Sequence, residues 1–321
     1  MPDIAPLVDA VYLTGPTASG KTPVGLELAR HLNAEILSLD SMAVYRHMEI
    51  GTAKPTPRQQ AVVPHHLIDL VDPDESFSLA QFVVAAHQAA ESVRRRGRQP
   101  LFVGGTPLYL KSLLRGVFEG PAADWSLRSE LQAEAHSSGT TALYARLRRV
   151  DPQTAARLHP NDTRRIIRAL EVYAKTGQPI SRFQQQFDHG RAAEACHVFV
   201  LQWPRDTLHA STNRRVEKMF QAGLVEETQR LVERFAPLSR TARQAVGYRQ
   251  VLEHLEGQFD LPETIRRVQA KTRQFVRRQE TWFRSLSECR GVPVDEGFDP
   301  AGLAVRILES IEAGPSGMTR R

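Results

Sequence analysis

The residues with the clearest chemical purpose form one octet, Gly15-Pro16-Thr17-Ala18-Ser19-Gly20-Lys21-Thr22. It satisfies every fixed position of the phosphate-loop pattern G-x-x-x-x-G-K-[ST]. Two glycines let the backbone curl so that successive N–H groups point inward, and a helix start adds its positive dipole end. Lys21 brings a mobile positive charge, and Thr22 offers a hydroxyl to a magnesium ion. The ligand selected by such a loop carries at least two linked phosphates. Asp40 is the best candidate for a general base, because a carboxylate at the tip of a second strand can reach a substrate held over the loop. Its competing role is to cap the next turn, through Asp40 or Ser41. Gly104-Gly105-Thr106 ends a later strand, where many motor ATPases keep a metal-holding aspartate. That aspartate is missing, which argues against ordinary nucleotide hydrolysis. Thr106 can donate a hydrogen bond to a transferring group or cap the helix of Leu108 to Leu114, and the pattern leaves both open.

These groups need a scaffold, and the first hundred residues supply one. Strands are expected at Ala10-Val11-Tyr12-Leu13, at Glu35 to Leu39 ending on Asp40, at His66 to Val71, and at Pro100 to Val103. Helices are expected from Val24 to Leu32 and from Ser78 to Arg96. Alternation of this kind predicts an α/β fold: a P-loop parallel sheet core with helices on both faces and ligands at the strands' carboxyl ends. From Pro121 the pattern changes to helices alone, as far as about Gln186. Asn161 or Asp162 can cap the helix bearing Thr163 to Leu170, which stops near Gly177. His197 to Leu201 then reads as a strand returning to the sheet, so the helical block is an inserted all-helical domain. The expected division is residues 1–120 for the first part of the core and 121–191 for the insertion. Residues 192–312 then return to the core, mostly helical, ahead of a disordered tail at 313–321.

On the last long helix Arg266, Arg273, Arg277 and Arg284 share one narrow stripe, opposite Ile265, Val268, Phe275, Trp282, Phe283 and Leu286. A row of Arg without Lys suits phosphate contact by planar forks, although a solvated face is the plainer alternative. The 321 residues carry a net charge of +6, which fits an anionic macromolecule as partner without requiring one. No apolar run approaches membrane-spanning length, and Met1 to Asp9 lacks the order of a secretory leader. Two cysteines, Cys196 and Cys289, form neither a metal knuckle nor a disulfide framework, so a reduced cytoplasmic setting is expected. His65 and His66 are adjacent in a strand and point to opposite faces, which makes them structural rather than a metal pair.

Two function classes survive this reading. One is a P-loop small-molecule kinase of the nucleotide or shikimate kinase type. The other holds a diphosphate as leaving group and passes the attached carbon fragment to a nucleic acid. A nucleotide-gated RNA-binding switch is a weaker third. The arginine row, the helical insertion and the length favour the second.

The ordered motifs resemble the tRNA dimethylallyltransferases, also called tRNA isopentenyltransferases or the IPP transferase family. They are the phosphate loop; Asp40-Ser41-Met42 with Val44-Tyr45-Arg46; Ile50-Gly51-Thr52-Ala53-Lys54-Pro55; and His65 to Asp69. Val103 to Thr106, Arg164 to Glu171, Val246-Gly247-Tyr248-Arg249, Thr272-Arg273-Gln274, Arg278-Gln279 and Thr281-Trp282 continue the series. The likeness runs from about residue 11 to 286. It implies transfer of a dimethylallyl group from dimethylallyl diphosphate to N6 of the adenosine just 3′ of a tRNA anticodon. By resemblance Gly15 to Thr22 bind the diphosphate, Asp40 is the base, Thr106 lies beside the reacting centre, and Thr22 holds Mg2+. tRNA contact is implied for Asp40, Ser41, Met42, Ala43, Thr106, Arg128, Arg164, Arg165, Ile166, Ile167 and Arg168. It is implied too for Gln244, Ala245, Val246, Gly247, Tyr248 and Arg249. The partners implied are tRNA and the diphosphate donor, with no membrane, and the family likeness suggests a monomer. Some positions depart from the family pattern. Ser211 and Thr212 stand where Arg-Ile is usual, which leaves Arg214 or Arg215 for diphosphate contact, and Arg215 is the candidate carried forward. Pro107 replaces a glycine, Phe275 a tyrosine and Glu49 an aspartate.

Overall fold

The computed structural model describes residues 5–117, 120–184, 190–295 and 297–313. The chain opens with β1 (Val11–Thr14), α1 (Lys21–His31), β2 (Ala34–Ser38), α2 (Pro57–Val62) and β3 (His65–His66). It continues with α3 (Leu79–Arg95), β4 (Gln99–Gly104) and α4 (Pro107–Arg115). Five helices follow: α5 (Trp125–Ser138), α6 (Thr140–Val150), α7 (Pro152–Arg157), α8 (Thr163–Thr176) and α9 (Ile180–Phe183). The chain returns through β5 (His197–Gln202), α10 (Arg205–Gln221), α11 (Leu224–Phe235), α12 (Arg240–Arg243) and α13 (Tyr248–Leu255). It closes with α14 (Leu261–Arg284), β6 (Cys289–Pro293) and α15 (Pro300–Glu312).

The six strands form one parallel sheet in the order β3-β2-β4-β1-β5-β6. A sheet covered on both sides needs strands that are apolar on both sides, and β1 and β2 are buried at every residue. Val11, Leu13, Ile36, Leu101 and Phe199 pack with α1 and α15 on one face. The alternating residues Tyr12, Leu37, Phe102 and Val198 point the other way and are equally buried, with Tyr12 stacked on Phe102 at 5.0 Å. This topology puts the β1, β2 and β4 carboxyl ends side by side, which brings the phosphate loop, Asp40 and Thr106 to one edge of the sheet.

Two expectations change. The third strand is only His65–His66, because Leu67 and Asp69 adopt left-handed backbone (φ 62° and 56°) and turn the chain out of the sheet. Beyond them Val71 makes a single isolated bridge with Tyr45. β6 was not expected: Cys289-Arg290-Gly291-Val292-Pro293 lacks alternation, yet it pairs along β5 from Val198 to Gln202. The buried line of α14 is also rotated from the expected one. It consists of Thr264, Val268, Thr272, Val276, Gln279 and Phe283, whereas Ile265, Phe275 and Trp282 are only half-buried.

The chain divides into two compact units, one made of Met1–Leu114 with Gly190–Arg321 and the other of Arg115–His189. The second unit is entirely helical among its described residues, with a core of Leu131, Leu143, Leu147, Ile166, Leu170 and Ile180. Asp162 caps α8 by accepting from the Arg165 N–H, and Gly177 ends it in the left-handed conformation. The expected helical end near Gln186 and the expected disordered tail from residue 314 onward lie outside the described residues.

Candidate active site

The phosphate loop leaves β1 and enters α1 at Gly20, whose φ of 84° favours glycine. A side chain there would also meet the Phe298 ring, at 2.5 Å from its Cβ. No side chain caps α1 at Gly20, so its first-turn N–H groups lack the usual internal partner and suit an anion. Lys21 Nζ folds back onto the loop, 3.0 Å from the Gly15 carbonyl and 2.7 Å from that of Pro16. Burial of the ammonium, helped by the Arg215 charge, pulls its pKa from the usual lysine value to about 7, while Asp40 opposes the change.

Arg215, on α10, lies close enough to Lys21 and Asp40 to be felt electrostatically by both. Burial pushes its pKa down from the usual arginine value, and the Asp40 charge works against that. Its Nε is buried without a hydrogen-bond partner among the described residues, and so is Ser19 Oγ. Buried polar atoms without partners are costly and uncommon. Here they surround a loop already shaped for phosphate. The neighbouring Arg214 is exposed and bonds only to Ser211 among the described contacts, while Thr212 is buried against the Leu208 carbonyl. Of the two arginines left by the departure at 211–212, Arg215 is the one beside the loop.

Asp40 follows β2 and is half-buried. One carboxylate oxygen accepts from the Met42 N–H at 2.8 Å, a tight local turn that fixes the side chain. Thr106 Oγ1 accepts from the Ser41 N–H at 3.1 Å, and the Thr106 N–H donates to the Leu39 carbonyl at 3.1 Å. The hydroxyl therefore serves the Asp40 turn, not the start of α4. Gly104 is required by contact, since a Cβ there would lie 2.3 Å from the Leu39 backbone. The strand ends that carry Asp40 and Thr106 are thus locked together.

A residue that the sequence reading gave no role joins these parts. Gln279 sits on the buried line of α14, its Oε1 accepting from the Thr17 N–H at 2.9 Å and its Nε2 donating to the Gly105 carbonyl. Two more such residues hold the loop after Asp40. The buried ammonium of Lys54 bonds the Tyr45 carbonyl, Glu49 and Asp69. The Glu227 carboxylate on α11 accepts from the N–H groups of Glu49, Ile50 and Gly51 and from the Tyr248 hydroxyl at 2.6 Å. Burial, then the Glu227 charge, drives the Tyr248 phenol far above its ordinary range. The signal for Gln279 and Glu227 was a polar residue on the buried line of a helix, and for Lys54 a charge in a loop with no solvent role.

The remaining residues expected at an RNA surface are placed unevenly. Ser41, Met42 and Val246 are half-buried, while Gln244 and Arg249 are exposed, the latter paired with Glu253. Tyr248 and Ala245 are packed in the core of α11, α12 and α13, and Ala43 is buried as well. In the helical unit Ile166 and Ile167 are core residues, because they fall on the inner face of α8. Those five therefore present no side-chain surface to a partner. Arg164 and Arg165 are exposed on the same helix. Arg128 and Arg168 instead grip Glu171, which has no exposed side-chain area. Burial opposes ionisation of Glu171, but bonds from Arg128, Arg168 and the Asp124 N–H overcome it and hold the carboxyl below its usual range. His66 bonds Glu35, as a structural histidine does. No group of three or more His, Cys, Asp or Glu able to hold a metal occurs among the described residues.

The family model of the IPP transferases matches residues 43–286. A tRNA dimethylallyltransferase of Rhodopirellula baltica is 50% identical over 298 residues, covering 90% of this chain and 89% of its own. The chain belongs to the IPP transferase family. Solved structures agree with that membership. The tRNA isopentenylpyrophosphate transferase of Bacillus halodurans superposes with a TM-score of 0.67 at 38% identity, over 95% of this chain and 97% of that one. A eukaryotic dimethylallyltransferase captured acting on tRNA gives a TM-score of 0.76 at 25% identity, over 97% and 81%. Family membership disfavours the kinase alternative, and the chain is a transferase of the prenyltransferase class. No helix among the described residues is long and apolar enough to cross a membrane.

Proposed function

We propose that this chain transfers the dimethylallyl group of dimethylallyl diphosphate to N6 of the adenosine 3′-adjacent to the anticodon of tRNA, releasing diphosphate. The observation that carries the reading is the meeting of a phosphate loop, Lys21 and Arg215 with one carboxylate, Asp40, at adjoining strand ends. The N6–C1 bond forms as the C1–O bond breaks, and the electron pair leaves with the diphosphate. The N6 proton passes to Asp40, since an aromatic amine attacks readily only as its proton is removed. Lys21, Arg215 and the uncapped N–H groups of α1 face the charge that grows on the leaving group. Thr22, half-buried in the first turn of α1, presents a hydroxyl that would hold a Mg2+ ion beside the diphosphate. That ion would supply further charge neutralisation. The acceptor adenine must leave its stack to reach Asp40.

On the same reading Arg164 and Arg165 meet the anticodon arm, as do Gln244, Arg249 and the turn from Asp40 to Met42. Arg128 and Arg168 shape the helical unit that carries Arg164 and Arg165. The enzyme acts as a cytoplasmic monomer. The test is incubation with labelled dimethylallyl diphosphate and unmodified tRNA, beside labelled ATP with the same tRNA. Label in the RNA from the diphosphate donor alone is the expected result; ATP turnover on a small acceptor without RNA labelling would overturn it.

A further inference from the structure

Gln279 is the one polar side chain on the deeply buried line of α14 with hydrogen bonds to two separate catalytic segments. It lies 262 residues from Thr17 and 174 from Gly105, so neither contact is local. Its carboxamide is matched to its partners: the oxygen accepts from the Thr17 N–H of the phosphate loop, and the nitrogen donates to the Gly105 carbonyl next to Thr106. Only 3% of the residue is exposed, so water does not compete for either bond. The fit is close, because a Cβ at Gly105 would stand 2.8 Å from Gln279 Nε2 and 3.1 Å from the Gly15 carbonyl. The loop, the β4 end and the amide therefore meet at one point.

Resting on the transferase reading above, we propose that Gln279 is a positioning residue that fixes the distance between donor and acceptor. The loop holds the diphosphate, and the β4 end, through Thr106 and Ser41, holds the Asp40 turn that receives the proton. The two sides are otherwise held by the β1–β4 ladder and by the Thr14 hydroxyl, which donates to the Gly104 carbonyl at 2.8 Å. Gln279 adds a direct tie between loop and strand end, so the carbon that leaves the diphosphate meets the nitrogen at reacting distance. It touches neither reactant. By spending the Thr17 N–H on its own oxygen, it also leaves the later N–H groups of the loop to face the anion.

The test uses the full chain with two near-isosteric variants, Gln279→Met and Gln279→Glu. For Gln279→Met, the binding of inorganic diphosphate and of tRNA should each stay close to the parent. The single-turnover rate with both substrates saturating should fall about 100-fold, the scale of a small misplacement of reacting groups. A rate close to the parent's in the folded variant would overturn the proposal. So would a parallel loss of both affinities, which would mark Gln279 as general packing. Gln279→Glu gives a second reading that does not depend on the methionine variant folding. A protonated carboxyl can accept from Thr17 and donate to Gly105, whereas a carboxylate can only accept. Its single-turnover rate relative to the parent should therefore rise as pH falls, at constant circular dichroism. A flat ratio across pH would overturn the proposal. If the parent itself transfers no dimethylallyl group to tRNA, the functional reading has failed rather than this one.

Discussion

Two clusters of charge in this chain look alike in sequence and differ in structure. In the helical unit, Arg128 and Arg168 converge on Glu171, whose carboxylate also takes the Asp124 N–H. Every charge there has a partner. At the sheet edge, Arg215 Nε and Ser19 Oγ are buried without one among the described residues, and α1 starts without a side-chain cap. The first cluster is satisfied within the chain; the second keeps polar atoms unmatched among the described residues. The lesson is that arginine count does not mark a site. Unmet hydrogen-bonding capacity points to one only where, as at Ser19 and Arg215, it adjoins a loop shaped for an anion, since Tyr45, Ser112 and His209 also hold buried atoms without a partner among the described residues.

The largest effect should come from the unmet side. Asp40→Ala should lower single-turnover prenyl transfer by about 100- to 10,000-fold, the range of general-base catalysis, while tRNA binding persists. Near-parental turnover would remove Asp40 as the base. On the satisfied side, Glu171→Gln should leave two half-buried guanidiniums poorly paired and cost about 3 kcal/mol in urea unfolding. The reverse outcome, intact stability with lost transfer, would dissolve the contrast between the clusters.

A smaller effect separates the two by pH. Burial, helped by the Arg215 charge, pulls the Lys21 pKa down to about 7, and a bound diphosphate would hold the ammonium protonated. Diphosphate affinity should thus be full below pH 7 and weaken as pH rises above it, by at most about tenfold per unit. Lys21→Met, measured in parallel, should lose that part of the slope, and an identical slope would show that the lysine is not the titrating group. The smallest effect concerns the surface. Arg164→Gln with Arg165→Gln should raise the tRNA Michaelis constant and flatten its logarithmic salt dependence by about one to two. Arg168→Gln should instead register in stability, given its bond to Glu171.

The parts legible in the sequence are those whose logic is local. The loop, the Asp40 turn and Thr106 each follow a strand and depend on a few consecutive residues. The same holds for Asp162 and Gly177 at the ends of α8. What escaped depends on contacts far apart along the chain. Gln279 and Glu227 act through partners brought near only by folding, and β6 is a strand because β5 offers an edge. Lys54 instead reaches partners within its own loop region, where no pattern announces a buried ammonium. Ile166, Ile167 and Tyr248 are a different case. Family likeness grouped them with RNA contacts, although their burial places them in hydrophobic cores. The α14 face shifted because Thr and Gln occupy its inner line, so an apolar tally pointed slightly to one side.

The posture of Lys21 has one more consequence. Its amine already rests on two neutral oxygens of its own loop, those of Gly15 and Pro16. An incoming anion must outcompete both before the amine swings away. The more charge and the more oxygens that anion carries, the more readily it draws the ammonium from two neutral carbonyls. The parked side chain therefore sets a threshold that an arriving anion has to exceed.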